Sequence, residues 1–259
     1  MKPEPKRSPL DRNMPLRVAG QSVHEDIDNA INDEFLGYYL FAAILTMTAV
    51  MEWLKYFNKS TPSPKLFTVL ALIAIAATVW KLFKTREQVK LLKLGRDGER
   101  VVAHYLEELR SYGFAVFHDV QTGDANVDHI IIGTKGVFTI ETKALQKPLR
   151  GQCKVSVANG IVYANGAELP RNPLTQAKAQ ANWLKNFLAE SKFNIKVWPI
   201  LAIPGWFVEP FNYLLEGAWV LEPKLLQMNI ERQPERHTPE QVSAMVSALR
   251  SYIRSQIKE

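Results

Sequence analysis

The sequence predicts a mixed α/β domain, with a mixed sheet flanked by helices, that follows a two-helix transmembrane hairpin. Two observations lead to this fold class. Two uncharged apolar blocks lie before residue 84, and the rest of the 259-residue chain is more polar. That later part shows helix and strand patterns in the order helix, three strands, helix, strand, which is typical of helices packed on a sheet. The length allows one domain or two.

The hairpin is predicted from residues 35–51 and 66–80, which contain no charged side chain. Both blocks are apolar around the whole helical circumference, which is typical of a membrane span. A pair of core helices in a soluble domain is the alternative, although the flanking sequence offers little surrounding core. A capping-box pattern from Ser22 to Glu25 predicts that a helix begins before the first block. Basic residues concentrate after Trp80, so the positive-inside rule predicts that both termini are cytoplasmic.

These patterns divide the chain into an N-terminal tail with a short helix (1–34), the hairpin (35–84) and an α/β domain (85–259). The single cysteine, Cys153, excludes an internal disulfide framework and fits a reducing compartment. The net charge of +6 and the pI near 9.3 permit a nucleic acid or an anionic lipid as partner but specify neither.

Local signals define the elements of the α/β domain. Gly113 is expected to end the first helix, and Asn172 with Pro173 begins the second. A tight turn at 133–136 pairs two strands as a hairpin. In chain order, the predicted elements are a helix from Gly95, strands at 114–121, 127–133, 136–144, 154–157 and 161–163, a helix from Asn172, a strand at 197–203, and a helix from Thr238 to Ile253.

Three residues of these strands, Asp128, Glu141 and Lys143, form a constellation that points to chemistry. Side chains alternate along a strand, so Glu141 and Lys143 face the same way, and Asp128 begins the neighbouring strand. Two carboxylates can hold Mg²⁺, and a lysine beside them can orient a water molecule or stabilise charge on phosphorus. The pattern is typical of metal-assisted phosphodiester hydrolysis. The alternative is a solvated strand face with a cross-strand ion pair.

Four motifs around this constellation resemble one protein family. They are, in order, Gly95-x-x-Gly98-Glu99, Val127-Asp128-His129, Gly136-Val137-Phe138 leading into Glu141-Thr142-Lys143, and Asn172-Pro173-x-x-Gln176. Their order and contexts resemble the NERD (nuclease-related) domain family, whose fold belongs with the PD-(D/E)xK restriction-endonuclease-like nucleases. The resemblance covers about residues 91–205. It implies a restriction-endonuclease-like mixed sheet and does not extend to the hairpin.

Carried onto this sequence, the resemblance implies a metal-dependent site. Asp128 and Glu141 would be ligands of Mg²⁺ or Mn²⁺, and the carbonyl of Thr142 would be a third ligand. Lys143 would be the catalytic lysine. Glu99, in the first turn of its helix, would be an outer ligand or would orient a metal-bound water molecule.

The helix that follows is expected to add Gln176 to the same pocket. His129 neighbours Asp128 but points to the opposite face, so we interpret it as structural. No helix-turn-helix or zinc-finger spacing predicts the reading of base sequence. Four basic residues near the implied site are expected to bind backbone phosphates, namely Lys147, Arg150, Lys154 and Arg171.

Together these features predict a membrane-anchored, metal-dependent nuclease. It would hydrolyse phosphodiester bonds in DNA, or with less support RNA, at the cytoplasmic face of a bacterial membrane that residues 35–84 cross. Two alternatives stay open, namely a domain that tethers nucleic acid without cleaving it and a domain that serves protein assembly. Salt-sensitive DNA binding without turnover would favour the first of these.

Overall fold

The chain folds into two compact units. A computed structural model describes residues 17–58, 64–123, 126–148, 151–209, 214–215 and 217–256, without the side chains of 29–36. One unit is Ser22–Leu94, and the other combines Met1–Gln21 with Gly95–Glu259.

The first unit consists of two apolar helices. Helix α1 spans Gln21–Phe57, and helix α2 begins at Pro64 and runs to Glu108, through the end of the unit. The predicted helix at Ser22 and the first apolar block are therefore one continuous helix. The helix predicted to begin at Gly95 is likewise the last part of α2, so Glu99 lies inside a long helix and not in a first turn. Both helices are long and apolar enough to cross a membrane, over Gly37–Phe57 and within Pro64–Tyr112. Two apolar helices thus precede the α/β domain as a candidate hairpin.

Threonine hydroxyls within these helices are hydrogen-bonded to the backbone. Thr46, Thr48, Thr68 and Thr78 each donate to the carbonyl oxygen four residues earlier, at 2.7–2.8 Å. This bond satisfies the hydroxyl hydrogen within the helix, as an apolar environment requires, and the Thr68 oxygen also accepts from Trp53 Nε1 at 3.0 Å.

The second unit is built on a mixed six-stranded sheet, which confirms the predicted fold class. Its strand order is β1-β2-β3-β7-β10-β9. Strands β1, β2 and β3 are antiparallel, β3, β7 and β10 are parallel, and β9 is antiparallel to β10. These strands are β1 (Ala115–Gln121), β2 (Asn126–Gly133), β3 (Gly136–Thr142), β7 (Val197–Ala202), β9 (Leu214–Leu215) and β10 (Ala218–Leu221).

Helices cover both faces of this sheet. On one face, the end of α2 and helix α4 (Leu226–Glu231) pack around Phe138. The turn that follows α2 ends at Gly113, which has a φ of 84°. Helices α3 (Pro173–Glu190) and α5 (Pro239–Gln256) pack on the other face. Successive strand residues point to opposite faces, so near-continuous apolar strands supply both cores.

A smaller sheet lies beside the first and has the order β6-β5-β4-β8. Its strands are β4 (Lys154–Ala158), β5 (Ile161–Ala164), β6 (Ala167–Glu168) and β8 (Phe207–Glu209). The turn at 159–160 joins β4 and β5 as the sequence predicts. Strands β6, β8, β9 and β10 and helix α4 were not predicted, since they are short segments without a clear period.

Candidate active site

Strand pairing brings acidic residues together at one level of the large sheet. The register of β1 and β2 pairs His118 with His129. The next position along it sets Asp119 opposite Asp128. Side chains at opposed positions have Cβ atoms about 4.5–5.5 Å apart, and like charges there destabilise a sheet.

The next strand extends this row. The register of β2 and β3 pairs His129 with Ile140, which sets Asp128 opposite Glu141. Three neighbouring strands therefore carry Asp119, Asp128 and Glu141 side by side. We call these three residues the acid row.

Hydrogen bonds at the C-terminal end of β3 hold the acid row in place. The backbone N–H of Thr142 donates a hydrogen bond of 2.7 Å to Asp128 Oδ2. The backbone N–H of Lys143 donates to the carbonyl of Ala202 at 2.9 Å, which continues the pairing of β3 with β7. The Lys143 ammonium is close enough to oppose the rise in pKa that burial causes at Asp128 and Glu141. The structure thus brings together the acids and the lysine of the predicted constellation.

Helix α2 approaches this end of β3 closely because residue 98 is a glycine. A Cβ atom added to Gly98 would lie 2.5 Å from the Cβ of Ala144 and 3.6 Å from the Thr142 methyl group. No side chain fits there without movement. The close approach places Glu99, the next residue, near Asp128. Burial raises the pKa of Glu99, and the nearby Asp128 charge raises it further.

The segment before α1 also contacts the site. Arg17 Nε donates to Asp119 Oδ2 at 2.9 Å, and Asn126 Nδ2 donates to Asp119 Oδ1 at 3.2 Å. The backbone N–H of Gly20 donates to the Glu99 carboxylate. Asp119 is buried and has a left-handed backbone, with a φ of 49°. Neither Asp119 nor Arg17 was predicted to belong to the site.

Helix α3 contributes a glutamine from a different turn than the sequence predicts. Gln180 is buried, and its Nε2 donates to Glu141 Oε2 at 2.6 Å and to the carbonyl of Asn126 at 3.0 Å. Gln176 lies one turn earlier with its side chain exposed. The asparagine cap that begins α3 is as predicted, because Asn172 Oδ1 accepts from the Leu174 N–H at 3.1 Å.

The carboxyl groups of this site hold their protons unusually tightly. Burial raises the pKa of Glu141, and the Asp128 charge raises it further. Burial also raises the pKa of Asp128 and of Glu99, with added contributions from Asp119. The donors to Asp128 and Glu141 are neutral N–H groups that satisfy oxygen atoms without cancelling charge. The site therefore gathers acids in a poorly solvated place, where burial favours their protonated forms in the absence of a cation.

The carboxylate oxygens of this site are chemically suited to bind a divalent cation. Carboxylate oxygen is the ligand that Mg²⁺ prefers, and Mg²⁺ needs only one or two carboxylates besides water and phosphate. Asp128 and Glu141 would be those two, with the carbonyl of Thr142 beside them. Within the described part of the chain, no three His, Cys, Asp or Glu side chains converge as a metal cluster. The fit thus rests on two buried carboxyl groups that receive amide hydrogen bonds.

The four predicted phosphate-binding residues differ in their surroundings. Lys147 is exposed, and its ammonium group lies against Gly205. Lys154 Nζ is 3.3 Å from Glu209 Oε2, so its charge is partly balanced. Arg171 is exposed at the turn before α3. Arg150 lies outside the described residues.

His129 is buried on the other side of β2 from the acid row, as predicted for a structural residue. Its Nδ1 is 2.8 Å from Nδ1 of His118, whose Nε2 is 2.8 Å from Glu107 Oε1. Burial lowers the pKa values of both histidines. The pair is therefore neutral at neutral pH and joins β1 to β2.

Comparison with known proteins gives one family. Residues 94–204 match the model of the nuclease-related domain, NERD. The matched range contains every strand of the acid row and helix α3. Searches of the curated proteins and of the solved structures give no match to the chain.

Proposed function

From the nuclease-related domain at residues 94–204, we propose that this protein is a membrane-anchored, metal-dependent nuclease that hydrolyses phosphodiester bonds. The observation that carries the proposal is the pairing of Asp128 opposite Glu141, with Lys143 beside them. DNA is the proposed substrate, and RNA is the second choice.

Each residue of the site has a proposed task. Asp128 and Glu141 hold Mg²⁺ or Mn²⁺, and Thr142 supports them through the N–H bond to Asp128. A divalent ion bound there would activate a water molecule and neutralise charge on phosphorus. Lys143 orients the attacking water or stabilises the charge that develops on the phosphate. Glu99 takes part as an outer ligand or orients a metal-bound water molecule, which its place beside Asp128 supports.

Gln180 is proposed as a positioning residue in place of Gln176. Its bond to Glu141 Oε2 fixes the carboxylate, while its second bond ties α3 to the start of β2. Exposed Gln176, with Lys147, Lys154, Arg150 and Arg171, is proposed to contact the substrate backbone rather than the reacting phosphate.

Helices α1 and α2 are proposed to span the membrane as a hairpin. Large apolar side chains along both helices are exposed, including Met47 and Trp80, which are 67% and 68% exposed. Such side chains are stable facing lipid. Both termini would then lie in the cytoplasm of a bacterial cell.

The test is cleavage by the full-length chain in detergent, with plasmid DNA, linear DNA and RNA, in the presence of Mg²⁺ or Mn²⁺ and after chelation. We expect cleavage that needs metal and that falls at least about 100-fold in Asp128→Asn and Lys143→Met. The exposed Glu168→Gln is the matched control and should cleave normally. Cleavage that persists without metal or in both site variants would refute the assignment. Salt-sensitive binding without cleavage would support a tethering module instead.

A further inference from the structure

A cavity of about 600 Å³ opens within the unit formed by α1 and the first part of α2. Tyr39 of α1 and Thr85, Arg86, Val89, Lys90 and Lys93 of α2 lie around it. The α2 residues recur at spacings of three and four, so they share one face of the helix. The three basic side chains are exposed and Val89 is half-buried, so the cavity has an apolar interior and a basic edge.

The position of this edge along α2 matches a membrane headgroup layer. Phe83, which is 61% exposed, is the last large exposed apolar residue before the basic residues that begin at Lys84. At a helical rise of 1.5 Å per residue, Arg86 lies about 5 Å and Lys90 about 10 Å further along the axis. The headgroup layer extends about 5–8 Å beyond the hydrocarbon core on each side. If the core ends at Phe83, Arg86 is level with lipid phosphates. Lys90 lies just beyond that layer, and its side chain reaches back toward it because Cα–Cβ bonds tilt toward the helix N-terminus.

The charge at this edge is positive and available. Among the residues that the structure describes, Arg86, Lys90 and Lys93 form no ion pair, and Arg86 lies 5.9 Å from the centre of the Phe83 ring. Glu87 is on the same turn of α2 but does not line the cavity. An anionic group would therefore find three cationic partners there.

A buried hydroxyl adds an independent observation. Thr85 is 1% exposed, and its Oγ1 has no hydrogen-bond partner in the described part of the chain. The four other threonines noted above in these helices donate to the backbone carbonyl four residues earlier. An unpaired buried hydroxyl costs about 1–3 kcal/mol, so a ligand oxygen that accepts its hydrogen bond would be favoured.

We propose that this cavity binds the headgroup of one anionic phospholipid. This inference rests on the proposed membrane anchoring. The phosphate oxygens accept hydrogen bonds from Arg86 and Lys90, and the Thr85 hydroxyl donates to a phosphate or glycerol oxygen. The upper part of an acyl chain lies against Tyr39 and against Leu82, which also lines the cavity and precedes Arg86 on the hydrocarbon side. A cationic edge beside an apolar interior suits such an amphiphile, whereas a free phosphate would use only the edge.

The test measures lipid retained by the full-length protein in detergent, by native mass spectrometry with phosphatidylglycerol or phosphatidylcholine added. We expect one tightly retained phosphatidylglycerol. Two lost charges near an anionic headgroup should lower its affinity about 30-fold in Arg86→Gln/Lys90→Gln. Lys81→Gln/Lys84→Gln removes two charges from the same end of the span but away from the cavity. Equal losses in both double variants would indicate diffuse attraction and overturn the proposal.

A second pair of variants tests the hydroxyl. Thr85→Val should reduce phosphatidylglycerol retention, whereas Thr78→Val, which breaks an internal bond to Ala74, should not. Equal retention by both variants would contradict the role of Thr85. Inorganic phosphate at the same concentration should not compete, and full competition would show an anion site rather than a lipid site.

Flotation of the chain with phosphatidylcholine vesicles separates this proposal from membrane anchoring. Wild type and Arg86→Gln/Lys90→Gln should both float, because the apolar spans are unchanged. If neither floats, the anchoring itself is wrong. If both float and phosphatidylglycerol is not preferred by the wild type, the lipid site alone is refuted.

Discussion

Replacing Glu141 by glutamine should make the metal-free protein more stable at alkaline pH. Burial and the Asp128 charge raise the pKa of Glu141 from an ordinary 4.5 to about 9. The folded chain therefore holds this proton more tightly than the unfolded chain. Stability is full below the unfolded pKa and falls as the pH rises toward the folded pKa, because this carboxyl group ionises in the unfolded chain while the fold still holds its proton.

The size of this stability gain follows from the difference in the Glu141 pKa between the folded and unfolded chains. Each unit of pKa difference corresponds to about 1.4 kcal/mol of unfolding free energy, so a rise from 4.5 to about 9 gives at least about 3 kcal/mol near pH 8. For a domain of this size that is about 5–10 °C in Tm. Glu141→Gln keeps the shape of the side chain and can still accept the hydrogen bond from Gln180. It removes the charge, so the gain should be large near pH 8 and absent near pH 4.

The assay is thermal unfolding of the full-length chain in detergent, followed by tryptophan fluorescence in the presence of a chelator. Glu168→Gln, an exposed acid on β6, is the control and should leave Tm within about 1 °C. Saturation with Mg²⁺ at about 100 times its Kd should raise the wild-type unfolding free energy by about 2.7 kcal/mol. That rise should be much smaller in Glu141→Gln. An unchanged pH dependence of Tm in this variant would refute the electrostatic reasoning.

Two further predictions concern packing and the N-terminal segment. Gly98→Ala should lower the unfolding free energy by about 1–3 kcal/mol because its Cβ would meet Ala144. Gly95→Ala, whose Cβ meets nothing within 4 Å, should be neutral or stabilising by up to about 1 kcal/mol. Equal urea midpoints for the two variants would contradict the close-packing role of Gly98. Arg17→Gln should cost about 1–3 kcal/mol by leaving the buried Asp119 without its guanidinium, and additivity with Asp119→Asn in a double-mutant cycle would show that the pair is not coupled.

The strands and helices that could be predicted are those with strong local signals. The hairpin of β2 and β3 follows from β-branched runs around a glycine-containing turn at 133–136, and α3 from the Asn172 cap. Strand β10 was missed because four apolar residues at 218–221 have no period that separates a strand from a buried helix. Its place in the sheet depends on parallel pairing with β7, which is a tertiary contact.

Parts of the candidate site depend on register and could not be read from the chain. Asp119 was visible as an acid inside an otherwise apolar strand, and that signal could have marked it. Its place opposite Asp128 requires the pairing of β1 with β2. Gln180 and Gln176 share one face of α3 at a spacing of four, so only packing decides which one meets Glu141.

The arrangement of the acid row argues against the interpretation of Glu141 and Lys143 as part of a solvated ion-pair face. That interpretation requires opposite charges across neighbouring strands and solvent around them. The structure instead opposes acid to acid, and it buries Glu141 at 4% exposure. Like charges at opposed positions destabilise a sheet, so an arrangement made only for stability would avoid them.

The hydrogen-bond donors differ between the three members of the acid row. Asp119 has a cationic partner, since Arg17 lies 2.9 Å away. Asp128 and Glu141 receive amide donors, from the Thr142 backbone and the Gln180 side chain. Amide donors orient a carboxylate and leave its charge available, whereas a guanidinium cancels it. Asp128 and Glu141 are therefore the members proposed to bind a divalent cation, with Lys143 beside them, and Asp119 is expected to stay structural when metal is added.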